Sequence, residues 1–185
     1  MKGKGIALNP GHLGTVGAIG INPEITEEYF AKMQVSFLKS ILDAASLKNE
    51  IIVQSGNDLT ALGRQAAGYD MFLSFHFNAA VKKEIYSCFL VGTKTRQTSI
   101  DFGMKLMQNL QIKTDCKLYN NDGIMRVTKV SVLNSANRTN CPIVGLIESE
   151  FIDDEISKDD FTIKIQKKTI VIAETIINHF RFRGF

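Results

Sequence analysis

The sequence is poor in cysteine and proline and has no long apolar run. Its three cysteines (Cys88, Cys116 and Cys141) are widely spaced and odd in number. They therefore fit neither a disulfide framework nor a paired zinc–thiolate motif, and we expect free, mostly buried thiols. No apolar stretch is long enough to span a membrane, and the short run before Asn9 lacks the length and cleavage site of a signal peptide. These absences predict a chain that is made in the cytoplasm and is not inserted into a membrane.

Neither sign of charge predominates in the sequence. The 185 residues carry a formal net charge of only +3, and the basic residues form no block. This balance gives no reason to expect nucleic-acid binding. Hydrophobic residues make up 44% of the chain, which is ordinary for a globular protein, and there is no repeat, low-complexity tract or linker. We therefore expect one domain over residues 1–185.

Short apolar runs alternate with longer amphipathic ones. Strands are predicted at residues 5–9, 51–53, 71–77, 86–91 and 142–147, with a further strand or extended loop at 127–133. Helices are predicted from Asn22-Pro23 onward, and at residues 59–67, 99–110 (capped by Ser99) and 161–180. The first helix should bury one face made of Phe30, Met33, Phe37, Ile41 and Ala45. This alternation indicates an α/β domain with a twisted, mostly parallel sheet flanked by helices on both faces.

Polar side chains follow three of these strands where each strand ends. His12 follows the first strand, His76 lies near the end of the third, and Glu148 and Glu150 follow the strand at 142–147. Ligand sites in α/β folds gather at the carboxyl ends of strands, so we expect these side chains to lie together. Two imidazoles and a carboxylate leave a fourth zinc position open, as in catalytic sites. His179, the remaining histidine, is read as structural because a cation is favourable at a helix C-terminus.

Four segments carry a resemblance to a known family. They are Asn9-Pro10-Gly11-His12, Ser74-Phe75-His76-Phe77-Asn78-Ala79, Val132-Leu133-Asn134-Ser135, and Ile143-Val144-Gly145-Leu146-Ile147-Glu148. In this order they resemble the zinc-dependent N-acetylmuramoyl-L-alanine amidases, which include catalytic domains of phage endolysins and bacterial autolysins. The resemblance runs from about Lys4 to Asp154. It implies a single zinc ion and hydrolysis of the amide between N-acetylmuramic acid and L-alanine in peptidoglycan.

The resemblance also implies a ligand set of His, Glu and His. His12 and His76 carry over directly. The family places the glutamate near the start of the first long helix, where Glu24, Glu27 and Glu28 compete. We choose Glu27, which shares a helix side with Phe30, and place Glu28 next. The alternative interpretation of Glu24 is a negative charge that interacts favourably with the N-terminal end of the helix dipole.

The family's second glutamate, the catalytic carboxylate, corresponds to Glu148. Glu150 is a rival because it stands where the family usually has glycine before Phe151. We expect Glu150 to be a solvent-facing turn residue on the same strand face as Glu148. Asn78 is expected to contact substrate or orient the ligand loop, although a turn role is equally consistent with its position.

Other functions share parts of this pattern. A zinc peptidase or deacetylase acting on another amide has the same ligand set, and a non-catalytic wall-binding module has the same fold. A cofactor-binding α/β protein is disfavoured because the glycines between Gly11 and Gly20 lack the Gly-x-Gly-x-x-Gly spacing. We expect no separate wall-binding domain, and action on the wall after release, as an endolysin or an autolysin. The oligomeric state is left open.

Overall fold

A computed structural model describes residues 3–15, 17–54, 58–79, 86–152 and 156–181. Val16 in the glycine-bearing loop and Asp154 at the end of the resembling segment lie outside these ranges. The strands are β1 (Ile6–Pro10), β2 (Asn49–Ile51), β3 (Met71–Asn78), β4 (Cys88–Val91), β5 (Ile124–Arg126) and β6 (Ile143–Phe151). The helices are α1 (Glu27–Ala44), α2 (Leu59–Arg64), α3 (Gln97–Thr114), α4 (Ser131–Ala136) and α5 (Lys158–Arg181).

The described strands form one sheet in the order β2-β1-β3-β6-β4-β5. Strands β2, β1, β3 and β6 are parallel, whereas β4 runs antiparallel to β6 and parallel to β5. Ile6 and Leu8 pack on the face covered by α1, α3 and α5, while Ala7 packs on the face covered by α2 and α4. The predicted α/β domain, with a mostly parallel sheet between two helical layers, is confirmed.

The start of α1 differs from the prediction. The helix begins at Glu27, with the hydroxyl of Thr26 accepting a hydrogen bond from Tyr29 N. Asn22 caps only a turn, in which its Oδ1 accepts from Glu24 N at 3.0 Å. Because of this turn, α1 starts only at Glu27, and the preceding loop contacts Glu27 through Ala18 N.

The buried face of α1 also differs from the apolar stripe that was predicted. Phe30 is buried as expected, but Met33, Phe37, Ile41 and Ala45 are only half-buried. The fully buried positions include Gln34 and Glu27, because α1 packs against both the sheet and α5. Gln34 Oε1 accepts from Ser149 Oγ in β6, and Glu27 lies against His76 in β3. The full buried set is Glu27, Phe30, Ala31, Gln34, Val35, Leu38 and Leu42.

Other element boundaries also differ from the prediction. Strand β2 lies two residues earlier than predicted, because its parallel pairing with β1 starts with Asn49 opposite Ile6. Helix α3 begins at Gln97, and the Ser99 hydroxyl does not cap it but accepts from Val144 N in β6 at 2.9 Å. Of residues 127–133, predicted as a strand or an extended loop, residues 127–130 form the loop after β5 and residues 131–133 begin α4.

Strand β6 contains an irregularity at its carboxyl end. Glu148 pairs with His76, but Phe151 pairs with Asn78, so β6 holds one more residue than β3 over this stretch. The extra residue turns Glu150 toward α5, where it is 2% exposed and paired with Lys168 at 2.8 Å and Lys164 at 2.9 Å. The predictions that Glu150 faces solvent and shares a strand face with Glu148 are therefore wrong.

The predictions about the cysteines and about membrane-spanning segments can be compared with the described residues. Cys88, Cys116 and Cys141 are free thiols, with Cys88 and Cys141 buried. Within the described ranges, each helix is too short or too polar to cross a membrane.

Candidate metal centre

Three side chains from separate elements meet at the carboxyl edge of the sheet. His12 follows β1, Glu27 is the first residue of α1, and His76 lies near the end of β3. One ligand atom from each lies within 4.8 Å of the other two. Glu27 Oε1 is the common neighbour, 3.0 Å from His76 Nδ1 and 3.4 Å from His12 Nε2.

The parallel pairing of β1 with β3 brings the two histidines together. Pro10 lies opposite Phe75, and Gly11 N donates to the Phe75 carbonyl at 2.8 Å. The chain then turns sharply at His12, whose φ of 55° lies in the left-handed region that non-glycine residues rarely adopt. As a result the two imidazole rings stand edge to face, with centroids 5.2 Å apart.

Two glycines give the three ligand side chains the space they occupy. A Cβ at position 11 would lie 2.4 Å from His76 Cε1, closer than real Cβ atoms approach. Gly17 has a φ of 65°, and a Cβ there would lie 2.7 Å from Glu27 Oε2 and 2.8 Å from His12 Cγ. Sequence reasoning recognised the Pro-Gly-His motif and the glycine-bearing loop but did not assign these packing roles.

Backbone amides hold the Glu27 carboxylate in place. Ala18 N donates to Oε2 at 2.9 Å and Phe77 N donates to Oε1 at 3.2 Å. Burial alone would raise the pKa of Glu27, but the hydrogen bonds from His76 and Ala18 and the nearby imidazoles lower it below its ordinary value. Glu27 is therefore a preformed anion with an oxygen directed at both histidines.

The two competing glutamates lie elsewhere. Glu28 Oε1 accepts from Gly14 N at 2.9 Å and from Lys32 Nζ at 2.8 Å, so it anchors the glycine-bearing loop. Glu24 is exposed in the turn before α1. Among the described residues, Glu27 is the glutamate that joins the histidines in a possible metal-binding group.

The chemistry of this group fits a zinc ion. Two imidazole nitrogens and a carboxylate oxygen are ordinary zinc ligands, and three protein ligands leave a position open for water or substrate. The His12 side chain is 39% exposed, whereas those of His76 and Glu27 are 17% and 5% exposed. The group therefore opens to solvent on the His12 side.

Glu148 lies beside this group, opposite His76 in the pairing of β3 with β6. Its Oε2 is buried and has no hydrogen-bond partner among the described residues. Burial raises the pKa of Glu148 to about 7; His76 opposes the rise and the charge of Glu27 adds to it. A buried carboxyl with an unpaired oxygen beside a candidate metal group is an arrangement suited to proton transfer.

A cleft of about 300 Å³ adjoins the histidines on the side of the sheet that α2 and α4 cover. Polar and apolar side chains both line this cleft. The polar lining residues include Asn9, His12, Gln54, Ser74 and His76, and the apolar ones include Leu59, Leu62, Val130, Val132 and Leu146. The cleft thus places an apolar surface next to the metal group.

Asn78, predicted to contact substrate, ends β3 two residues after His76. Its backbone carbonyl accepts from Ile152 N at 2.9 Å, which ties the end of β3 to β6. A contact between its half-buried side chain and substrate stays a prediction. The residues that sequence reasoning did not single out are Asn9 and Ser74, which sit inside the quoted motifs, and Lys168, a lysine on the buried face of α5.

Solved structures share this fold. An N-acetylmuramoyl-L-alanine amidase from Clostridium difficile 630 superposes with a TM-score of 0.76 at 15% identity, covering 97% of each chain. The catalytic domain of CwlV, an amidase from Bacillus (Paenibacillus) polymyxa var. colistinus, gives 0.74 at 18% identity, covering 95% of this chain and 97% of that one. The catalytic domain of the CD27L endolysin, which targets Clostridia difficile, gives 0.73 at 19%, covering 94% and 96%.

The sequence comparisons add the family. No curated protein matches the sequence. A family model described as N-acetylmuramoyl-L-alanine amidase matches residues 6–178, which spans β1 to nearly the end of α5 and confirms the family that the motifs resemble. This chain therefore belongs to the N-acetylmuramoyl-L-alanine amidase family.

Proposed function

We propose that this chain is a zinc-dependent hydrolase that cleaves the amide between the lactyl group of N-acetylmuramic acid and L-alanine in peptidoglycan. The observation that carries the proposal is the buried, unpaired Oε2 of Glu148 beside the group of His12, Glu27 and His76. Family membership supports amidase chemistry, and the donor set supports zinc as the metal.

In this proposal His12, Glu27 and His76 hold the metal. A bound zinc ion supplies polarisation of the substrate carbonyl and makes water acidic enough to lose a proton near neutral pH. The chain's own contribution is a rigid ligand set. Glu27 is held by two backbone amides, His76 lies within the paired strand β3, and His12 follows directly after the paired strand β1, so little rearrangement is needed to bind the metal.

Glu148 moves the proton. Its unpaired oxygen accepts a proton from the attacking water and later donates it to the departing amine of L-alanine. Its burial keeps competing solvent away from this oxygen. The neighbouring Glu150 cannot substitute, because its carboxylate is bound to Lys168 on the other side of β6.

The cleft beside the metal group is the proposed substrate site. Its apolar lining residues suit the methyl groups that flank the scissile amide on the lactyl and alanyl sides, and its polar lining residues suit the amide itself. Asn78 is the proposed substrate-binding side chain at the end of β3. We propose that the chain acts on the bacterial wall, as a lytic endolysin or an autolysin.

The test combines metal content with a bond-specific assay. Purified protein is analysed for zinc, then incubated with peptidoglycan, and new L-alanine amino termini are measured with and without a chelator. We expect about one zinc per chain and loss of product on chelation, restored by zinc. Release of new amino termini other than L-alanine would instead indicate a peptidase, and a metal-free protein that binds walls without cutting them would indicate a binding module.

Variants separate metal binding from proton transfer. Glu148→Gln should retain zinc but lose at least about a hundredfold in kcat, the usual contribution of a general acid–base group. His12→Ala and His76→Ala should lose both zinc and activity. Glu28→Gln is the matched control, since Glu28 lies near the centre but binds the loop and Lys32. Near-normal activity of Glu148→Gln would overturn the role given to Glu148.

A further inference from the structure

A row of buried hydrogen bonds leads from His76 away from the candidate metal centre. His76 Nε2 lies 3.1 Å from Ser74 Oγ, and the Ser74 hydroxyl donates to Asn9 Oδ1 at 2.7 Å. Asn9 Nδ2 in turn donates to the backbone carbonyl of Ile52 at 3.0 Å. Ser74 is 0% exposed and Asn9 is 2% exposed, so each of these groups depends on its protein partner rather than on bulk water.

The last member of this row determines the direction of every bond in it. A backbone carbonyl can only accept, so Asn9 must turn its amide nitrogen toward Ile52 and its Oδ1 toward Ser74. Ser74 has a single hydroxyl hydrogen. It must lie between Ser74 Oγ and Asn9 Oδ1, because two oxygens 2.7 Å apart with no hydrogen between them would repel each other.

The direction of the bonds has a consequence for His76. With its hydrogen committed to Asn9, the Ser74 hydroxyl offers only a lone pair to the imidazole, so Nε2 must carry a hydrogen to donate. A neutral imidazole has one N–H, so in the zinc-bound centre the lone pair would lie on Nδ1. Nδ1 lies 3.0 Å from Glu27 Oε1, inside the candidate metal group, and zinc would replace the hydrogen that joins these two atoms when no metal is bound.

We propose that Asn9 and Ser74 are positioning residues, which hold His76 as its Nε2–H tautomer so that Nδ1 binds the metal. This inference rests on the proposed zinc-dependent function. A metal-binding histidine gains basicity and a defined ring orientation when its other nitrogen donates a hydrogen bond, and loss of that partner typically weakens metal affinity about 10–100-fold. The packing of Gly11 against the ring leaves His76 little freedom to find another orientation.

The test reads the tautomer directly. Protein labelled with ¹⁵N-histidine and loaded with zinc is studied by long-range ¹H–¹⁵N NMR, with a His76→Gln sample to assign the signals. We expect the wild type to show a slowly exchanging proton on Nε2 of His76 and none on Nδ1. Ser74→Ala should expose this proton to faster exchange and weaken zinc binding about 10–100-fold in a chelator competition. Ser74→Thr, which keeps the hydroxyl, should restore both properties.

Ser135→Ala is the matched control. Ser135 is another buried serine, with a hydroxyl that donates to the Val132 carbonyl in α4, so its loss should leave zinc affinity and the His76 signals unchanged. A wild-type proton on Nδ1 would overturn the inference even if Ser74→Ala fails to fold. Wild-type zinc affinity in a folded Ser74→Ala protein would overturn it as well.

The outcomes separate this inference from the proposed function. Zinc binding and amidase activity with the proton on Nδ1 would reject only the role of Asn9 and Ser74. A wild-type protein that binds no zinc would reject the proposed function, and this inference with it.

Discussion

Glu27 is the one of three neighbouring glutamates that joins the two histidines in the candidate metal group. Glu24, Glu27 and Glu28 lie within five positions of one another, and all three suit the start of a helix by charge. The shared helix side with Phe30 favoured Glu27, and both residues are buried. What separates Glu27 from Glu28 is the preceding loop, which brings Ala18 N to the Glu27 carboxylate and Gly14 N to that of Glu28. A loop conformation of this kind depends on distant contacts that no local pattern contains.

Gly11 provides a prediction at the same scale. In Gly11→Ala the new Cβ would overlap His76 Cε1, and the backbone cannot retreat because Gly11 N is bonded to Phe75 O. We expect the imidazole to be displaced, with a loss of zinc affinity of at least about tenfold and an overpacking cost of about 1–3 kcal/mol. Zinc content and thermal unfolding of the purified variant measure the two effects.

Gly14→Ala is the control for this substitution. Position 14 has open space around it, and its φ of 83° adds only local backbone strain of about 1–2 kcal/mol. Zinc content should therefore be normal in Gly14→Ala. Equal loss of zinc in both variants would show that the loop responds to any added methyl group, and that the contact with His76 is not the cause.

At the scale of elements, the irregular end of β6 is held by a buried ion pair. Lys168 Nζ in α5 donates to Glu150 Oε2 at 2.8 Å and to the Ser149 carbonyl and Ser87 Oγ at 2.7 Å. Ser149 Oγ also donates to Gln34 in α1 at 2.7 Å. These bonds involve the two residues after Glu148, so α1 and α5 together define where the strand that carries the proposed catalytic carboxyl ends.

A double-mutant cycle tests this pair. Glu150→Gln leaves the Lys168 charge buried with its principal counter-charge removed, which typically costs about 3–5 kcal/mol. Lys168→Met leaves Glu150 with Lys164 alone. We expect the double variant to be less destabilised than the sum of the two single variants, because it removes both charges. Urea unfolding measures the change in unfolding free energy for each of the three variants relative to wild type. If the changes of the two single variants add up to that of the double variant, the pair is not coupled.

The pair also predicts a pH dependence. Burial alone would raise the pKa of Glu150, but Lys168 and Lys164 lower it below the ordinary value of 4.5. The unfolded chain then binds more protons than the folded one as the solution is acidified, so the stabilisation is complete above about pH 4.5 and is lost as pH falls through the lower, folded pKa. The difference in unfolding free energy between wild type and Glu150→Gln should shrink over that range. If this difference in unfolding free energy did not change with pH, the prediction would be contradicted.

For the whole molecule, a metal at this centre would link β1, α1 and β3. The three ligand side chains come from positions 12, 27 and 76, which approach one another only in the folded chain. Zinc at a hundredfold excess over its Kd should therefore add about 2.7 kcal/mol of stability and raise Tm by about 5–10 °C. Thermal unfolding with zinc and with a chelator measures the shift. His12→Ala should show a much smaller one, and an equal shift in that variant would place the stabilising metal elsewhere.

The sequence alone predicted the fold class and the family. Buried strands such as residues 71–77 are nearly uniform in apolar character, and polar side chains interrupt that character only where the strands end, as at His76 and Glu148. The apolar run and the polar residues at its end can both be recognised in the local sequence, without knowledge of the partner strand. The order and spacing of the motifs then indicated the amidase family, which the family model confirms.

Only the tertiary structure decided the features that depend on contacts between distant segments. The added residue in β6 follows from pairing with β3, the burial of Glu150 follows from Lys168 in α5, and the hydrogen-bond direction at His76 follows from the Ile52 carbonyl. The start of α1 at Glu27 likewise depends on the loop that folds over it. Apolar periodicity records which side of an element is buried, whereas the partner of a buried polar group is supplied by another part of the chain.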